Sequence, residues 1–297
     1  MGGYLAVRPD LLPWPFLCNA FGLLKDKAPA PLNNRQTVFK VAYPSGKAVL
    51  KVHWFVSEER FPPLEELTAL LECETIIPPH RTSADGNRLV QHNNQFFSVS
   101  NFIKSSSSKS DWDIKRLTQS LAKMHGVLKT IATPVPINPM AVPLTQLVDE
   151  LIKMGRISFA RVVEDAHHAA RHLPRQIVHN DLHPENCLQN EQKTYFIDLD
   201  SYDYGFRIVD ALFAALRFTN GEHDREKEFI SEYNRSAGLT VAEKTHGPTL
   251  LTASLIGKLA FIHREAKRGN PQYLNDTDKY EELIKRAMQL ERKLIGL

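Results

Sequence analysis

The feature that most constrains the fold of this chain is a change in hydrophobic periodicity near residue 104. Before it, apolar residues come in short runs broken by turn chemistry; after it, they recur at alternating spacings of three and four. Gln36 to Tyr43 and Lys47 to Phe55 read as two strands, joined as a β-hairpin by Pro44-Ser45-Gly46. Leu64, Leu67, Leu70 and Leu71 put one apolar face on a helix over 63–74, and Gln95 to Ile103 reads as a further strand. Ser105 to Ser108 reads as a flexible linker. Beyond it, Ser110 and Asp113 can form a capping box. Ile114, Leu117, Leu121, Met124, Leu128 and Ile131 then make a single helical stripe. Further helices are predicted near 159–172, 208–218, 223–236, 248–266 and 277–295, the last burying Tyr280, Leu283, Ile284, Ala287, Leu290 and Leu294. The pattern predicts an α+β chain: a small β-rich domain over 1–104 and a larger, mainly helical domain over 105–297.

Composition narrows the function classes. Lys and Arg number 37 against 34 Asp and Glu, so the charge balance makes no case for nucleic acid or a membrane surface as partner. No apolar run approaches the ~18 residues of a spanning helix. Met1 to Asp10 lacks the features of a secretory signal, and Ala6 stands where a myristoylation motif takes Ser or Thr. Cys18, Cys73 and Cys187 have no metal-ligand spacing and support no disulfide framework. The expectation is a reduced, cytoplasmic protein; its oligomeric state is not readable.

The chemistry concentrates in Ile177-Val178-His179-Asn180-Asp181-Leu182-His183-Pro184-Glu185-Asn186 and in Tyr195-Phe196-Ile197-Asp198-Leu199-Asp200. Two short strands, near 187–188 and 194–197, would bring Asn186 beside Asp198. An amide oxygen and a carboxylate are hard ligands suited to Mg²⁺ together with water and phosphate oxygens. Asp181 is not needed as a ligand and can take a proton from a substrate hydroxyl. Phosphoryl transfer needs this set: metal to neutralise developing charge and a carboxylate to position the attacking oxygen.

These residues resemble the aminoglycoside phosphotransferase and choline kinase-like family, distant relatives of the protein kinases. The family's loop of His, Asp and, five residues later, Asn is matched by His179, Asp181 and Asn186; its metal strand is matched by Ile197, Asp198, Leu199 and Asp200. Asp198 follows Asp181 by 17 positions, and Gly205 followed by Asp210-Ala211-Leu212 matches the family's sequel. The resemblance implies a bilobal protein kinase-like fold that moves the γ-phosphoryl group of ATP to a small-molecule hydroxyl. It makes Asp181 the catalytic base and Asn186 and Asp198 the Mg²⁺ ligands, with Asp210 bracing the loop. His179 then orients the catalytic loop and His125 is structural. Aminoglycoside, amino-alcohol, homoserine-like and sugar acceptors stay open.

The same resemblance asks for nucleotide-binding residues in the first domain. Lys51, a charge inside the apolar run Val49-Leu50-Lys51-Val52, is the candidate for the phosphates, because a strand charge is costly unless paired. Glu66, with Glu65 as the alternative, is its expected ion-pair partner on the 63–74 helix. Asn33-Asn34-Arg35, with Asn34 at its centre, reads either as a phosphate-covering loop or as an ordinary one. Ser100, within Ser98 to Ile103, falls where a hinge would bind adenine through its backbone. Two rival readings are a catalytically silent nucleotide-binding protein on the same fold and a metal-dependent hydrolase built on the Asp/His cluster.

Overall fold

The computed structural model describes residues 9–33, 37–53, 56–105, 112–131, 144–171 and 173–294. They form two compact units. One holds the described residues up to 105 together with 187–201; the other holds 112–131, 144–186 and 202–294. The segment 187–201 thus belongs with the β-rich unit, whereas sequence periodicity assigns it to the helical domain. No helix among the described residues is long and apolar enough to cross a membrane.

The first unit begins with α1 (Trp14–Phe21), which starts behind Pro13 and ends at Gly22 in the left-handed conformation, φ 67°. A five-stranded antiparallel sheet follows, built from β1 (Ala30–Pro31), β2 (Val38–Tyr43), β3 (Gly46–His53), β4 (Leu89–His92) and β5 (Gln95–Asn101) in the order β1-β2-β3-β5-β4. Tyr43 pairs with Gly46, so Pro44 and Ser45 form the expected two-residue turn. Side chains alternate across a strand. Phe39, Val41, Ala48, Leu50, Val52, Phe97 and Val99 therefore share one face, which packs on Leu17, Cys18 and Phe21 of α1. The opposite face carries Lys51, His53, Ser98 and Ser100, with Lys51 directly across from Ser98. Helix α2 (Phe61–Cys73) interrupts the sheet between β3 and β4 and buries Leu64, Leu67 and Leu71.

The second unit is helical around α3 (Ile114–Leu128), α4 (Leu144–Lys153), α5 (Ile157–Ala170), α6 (Arg207–Phe218), α7 (His223–Ala237), α8 (Val241–Lys267) and α9 (Thr277–Leu294). The stripe on α3 is buried from Ile114 to Leu128 at the predicted spacing. Asp113 is itself the N-cap, accepting from the Arg116 amide; Ser110 lies outside the described residues. Helix α6 is buried on all sides, including every residue from Asp210 to Leu216, and is the axis of the unit. The sequence pattern predicts α8 from about 248, but it begins at Val241. Thr240 and Glu243 form a full capping box there and start the helix about two turns earlier. Two short pairs complete the fold: β6 (Gln176–Val178) with β9 (Asp203–Gly205) in the helical unit, and the predicted hairpin of β7 (Cys187–Gln189) with β8 (Thr194–Phe196) in the first unit.

Gly247 sets how closely α8 approaches α6. A Cβ placed there would sit 2.6 Å from Cγ1 of Ile208 and 3.0 Å from Cδ1 of Leu212, both buried. Overpacking of this kind costs about 1–3 kcal/mol, and the better helix propensity of Ala offsets only about 1 of it. Gly247→Ala is therefore expected to lower the urea midpoint of unfolding; a midpoint equal to or above that of the parent would contradict this packing.

Candidate active site

In the helical unit, β6 delivers the chain into the loop that carries His179, Asn180 and Asp181. The loop is pinned by one buried carboxylate on α6. Asp210 Oδ2 accepts from the His179 amide at 2.7 Å and Oδ1 accepts from the Asn180 amide at 2.9 Å. His125, at the end of α3, adds Nε2 at 3.3 Å from Oδ2, and its Nδ1 lies 2.6 Å from the Tyr233 hydroxyl. The carboxylate only accepts, so Nε2 carries the hydrogen and Nδ1 takes that of Tyr233. Burial pushes the Tyr233 hydroxyl above the ordinary phenol range, which keeps it a donor. Asn180 sits at φ 65°, a left-handed conformation that Asn tolerates better than most residues. Gly205 lets β9 pass close to β6: a Cβ there would lie 2.9 Å from Cγ2 of Val178.

The loop presents Asp181 to solvent with its side chain 32% exposed. Asn186 Nδ2 donates to the Asp181 carbonyl at 2.9 Å and to Oδ2 at 3.3 Å. His183 Nε2 lies 3.5 Å from Oδ2, and the Lys258 ammonium on α8 lies 3.8 Å from Oδ1. Burial alone would raise the Asp181 carboxyl. The hydrogen bond from His183 and the charges of Lys258, His183 and His179 outweigh it and hold the carboxyl well below its usual range. Asp181 is thus an oriented acceptor that stays open to solvent.

The first unit gathers a second cluster. Lys51 Nζ lies 2.7 Å from Asp198 Oδ1 and 2.7 Å from Asp200 Oδ1. Burial would depress the Lys51 ammonium, but the two carboxylates raise it above its ordinary value. His53, two residues along β3 on the same face, donates from Nδ1 to Asp200 at 2.7 Å and places Nε2 2.8 Å from the Ser98 hydroxyl. Desolvation would raise the Asp200 carboxyl; His53 and Lys51 together hold it well down. Asp198 adopts φ 65°, and its side chain is 45% exposed.

Several expectations change against this geometry. Lys51 pairs with Asp198 and Asp200, not with Glu66 or Glu65. Glu66 is exposed on α2, and Glu65 accepts the Arg88 and Leu89 amides at the start of β4. His179 is fully buried, and its amide is held by Asp210. Ser100 is half-buried in β5, on the same face as Lys51. Asn34 and Arg35 lie outside the described residues; their neighbour Asn33 closes its own loop by accepting the Thr37 amide at 2.9 Å. Sequence reasoning passed over His53, whose only signal was its i+2 spacing from Lys51 on one strand face. It also passed over Lys258, which no local pattern marks.

The donor set can be tested against a divalent cation. Among the described residues no group of three or more His, Cys, Asp or Glu converges as a metal site. The amide oxygen of Asn186 and Asp198 Oδ2 make no hydrogen bond among the described residues, and both are hard oxygen donors. Each is a donor type that suits Mg²⁺.

Comparison with known proteins follows the same lines. The family model described as the phosphotransferase enzyme family matches residues 103–247. No curated protein matches the chain significantly. Among solved structures, the microcompartment-associated aminopropanol kinase superposes with a TM-score of 0.69 at 14% identity, covering 94% of this chain and 98% of that one. Spectinomycin phosphotransferase, in complex with ADP and spectinomycin, gives 0.67 at 12% identity over 92% and 96%. A choline/ethanolamine kinase family protein from Mesorhizobium loti gives 0.63 at 14% identity over 98% and 95%. The family match over 103–247 and the shared kinase-like fold bear out the resemblance to aminoglycoside phosphotransferase and choline kinase-like proteins.

Proposed function

We propose that the protein transfers the γ-phosphoryl group of ATP to a hydroxyl of a small molecule, with Asp181 as the base. The observation that carries this reading is the ionised Asp181 carboxylate, held by Asn186 and Lys258 yet open to solvent. The acceptor oxygen gives its proton to Asp181 as it forms a bond to the γ-phosphorus. The bond from that phosphorus to the β,γ-bridging oxygen breaks, and ADP leaves with the electron pair. The proton on Asp181 then passes to solvent. Lys51 supplies a fixed positive charge for the nucleotide phosphates, and Asp200 and His53 hold it in place. Asn186 and Asp198 are the residues suited to hold Mg²⁺, which when bound neutralises phosphate charge. Ser100, and the Asn34 loop where it covers phosphate, complete the nucleotide contacts implied by the resemblance. The ionised Asp181 and the paired Lys51 favour this reading over a silent nucleotide-binding protein. A metal-dependent hydrolase would leave Lys51 without a task.

Asp181→Asn keeps the size of the side chain but removes the base. Turnover of an accepted alcohol is expected to fall ~10²–10⁴-fold. Mg-ATP should still raise the melting temperature of the variant, as a bound ligand does. Near-parental turnover would overturn the assignment. Asp210→Asn tests the brace: the amide can satisfy one loop N–H but opposes the other with its own NH₂. Leaving one buried donor unpaired costs about 1–3 kcal/mol, so both the unfolding midpoint and turnover are expected to drop. Parental values for both would show that the loop is held by something else.

A further inference from the structure

Lys258 stands on α8 where a charge is costly. Leu251, Leu255 and Ile262 are buried along one stripe of the helix, and Lys258 falls in step between the last two. Residue order hides this, because Ile256 and Leu259 are buried around it as well. An ammonium on such a stripe needs partners. Two of them are neutral: Nζ lies 4.7 Å from the centroid of the buried Phe213 ring and donates to the Asn180 carbonyl at 2.8 Å. Among the described residues its one ion-pair partner is Asp181, whose Oδ1 lies 3.8 Å away, beyond hydrogen-bond distance.

An ammonium has three donors, so Lys258 keeps capacity after serving Asn180. On the carboxylate, Oδ2 faces Asn186 Nδ2 at 3.3 Å and His183 Nε2 at 3.5 Å, whereas Oδ1 makes no hydrogen bond among the described residues. Both side chains reach the surface of the helical unit, Lys258 at 25% and Asp181 at 32% exposure. A spare donor and a spare acceptor at this separation suit one oxygen between them. A hydroxyl there can accept from Nζ and donate to Oδ1 with both bonds at the ordinary length of about 2.7–2.9 Å. The Asn180 carbonyl anchors the ammonium beside the very next residue, so a single piece of loop fixes the spacing.

We propose that Lys258 is a second catalytic residue, which binds the acceptor hydroxyl beside Asp181; the proposal rests on the phosphotransferase reading and deepens it. The hydroxyl places its hydrogen on Oδ1 and one lone pair on Nζ, leaving the other lone pair for the γ-phosphorus. As the new O–P bond forms, the proton passes to Asp181, the bond to the β,γ-bridging oxygen breaks, and ADP leaves with the electron pair. Lys258 keeps its proton, and its charge meets the negative charge on the group in transfer.

Water is the simplest hydroxyl that fits between the two groups, so the probe is Mg-ATP with the full chain, read as ADP release. Lys258→Met keeps an unbranched apolar stem over Phe213 and removes the ammonium. Its kcat is expected to fall about 10- to 100-fold, the usual worth of one charged hydrogen bond. The KM for Mg-ATP, and the rise in melting temperature that Mg-ATP gives, should stay parental. Rescue separates catalysis from support of the loop. Lys258→Cys alkylated with 2-bromoethylamine regains a cation at the original reach and should recover most of the lost rate. Alkylation with iodoacetamide puts an uncharged amide nitrogen at that reach, still able to donate to Asn180, and should not. The parent chain treated in the same way controls for the exposed Cys73. Parental ADP release by Lys258→Met, or equal rescue by amide and amine, overturns the proposal. Asp181→Asn run alongside separates the two levels. Loss there with none in Lys258→Met sinks Lys258 alone, whereas no loss in Asp181→Asn sinks the phosphotransferase reading. A parent chain that gives a Mg-ATP shift but no ADP release counts against a hydroxyl held between the two residues, and one that gives neither sinks the reading itself.

Discussion

The carboxylate of Asp210 is the fixed point of the helical unit. It accepts from two consecutive loop amides and from the His125 ring, so its charge is spread over three donors in the interior. A buried carboxylate with fewer partners would be destabilising. With three it becomes a rigid template for the conformation of residues 179 and 180. The left-handed Asn180 follows from that template, because both amides must point at one side chain. Asp181 is then carried outward on a loop whose neighbours on either side, His179 and Leu182, are fully buried. His125 and Tyr233 form a second layer behind Asp210, which ties the loop to α3 and α7. Asp181 stays exposed because the residues that carry it are held from beneath.

The sheet solves a different problem by simple alternation. The two-residue period that buries Leu50 and Val52 against α1 sends Lys51 and His53 to the other face. A lysine in the middle of an apolar strand needs carboxylates, and it finds two on a single turn of chain. Asp198 leaves β8 in a left-handed conformation and the short 3-10 helix Leu199–Ser201 follows, so that both acidic side chains meet one ammonium. His53 occupies the second side of Asp200, leaving Asp198 as the more exposed carboxylate of the pair.

What could be read from residue order follows physical range. The β2–β3 hairpin, the α3 stripe and the β7–β8 hairpin are set by contacts within a few residues, and each forms where its pattern places it. Asp210 as the loop brace came from resemblance and is realised through two amide bonds. The N-terminal α1 and the β4 strand were passed over. Yet β4 carries a visible signal, an Asn93-Asn94 turn with Asn93 at φ 52°. The partner of Lys51 was misjudged because 147 and 149 residues of sequence separate it from its carboxylates, and a nearby helix offered glutamates at shorter range. Nothing in residue order says that Glu65 is already taken by two backbone amides.

A net charge of +3 would suggest an electrostatically indifferent molecule. Pairing matters more than the total. Arg207, Arg264 and Arg286 each spend their charge on a named glutamate within the helices, so they create little field at the site. Lys279 pairs with Asp276 at 3.6 Å, and Lys258 lies 3.8 Å from Asp181 and donates to the Asn180 carbonyl. His183, Lys258 and His179 outweigh burial and hold the Asp181 carboxyl below its usual range, so local pairing and not the net charge governs that side chain.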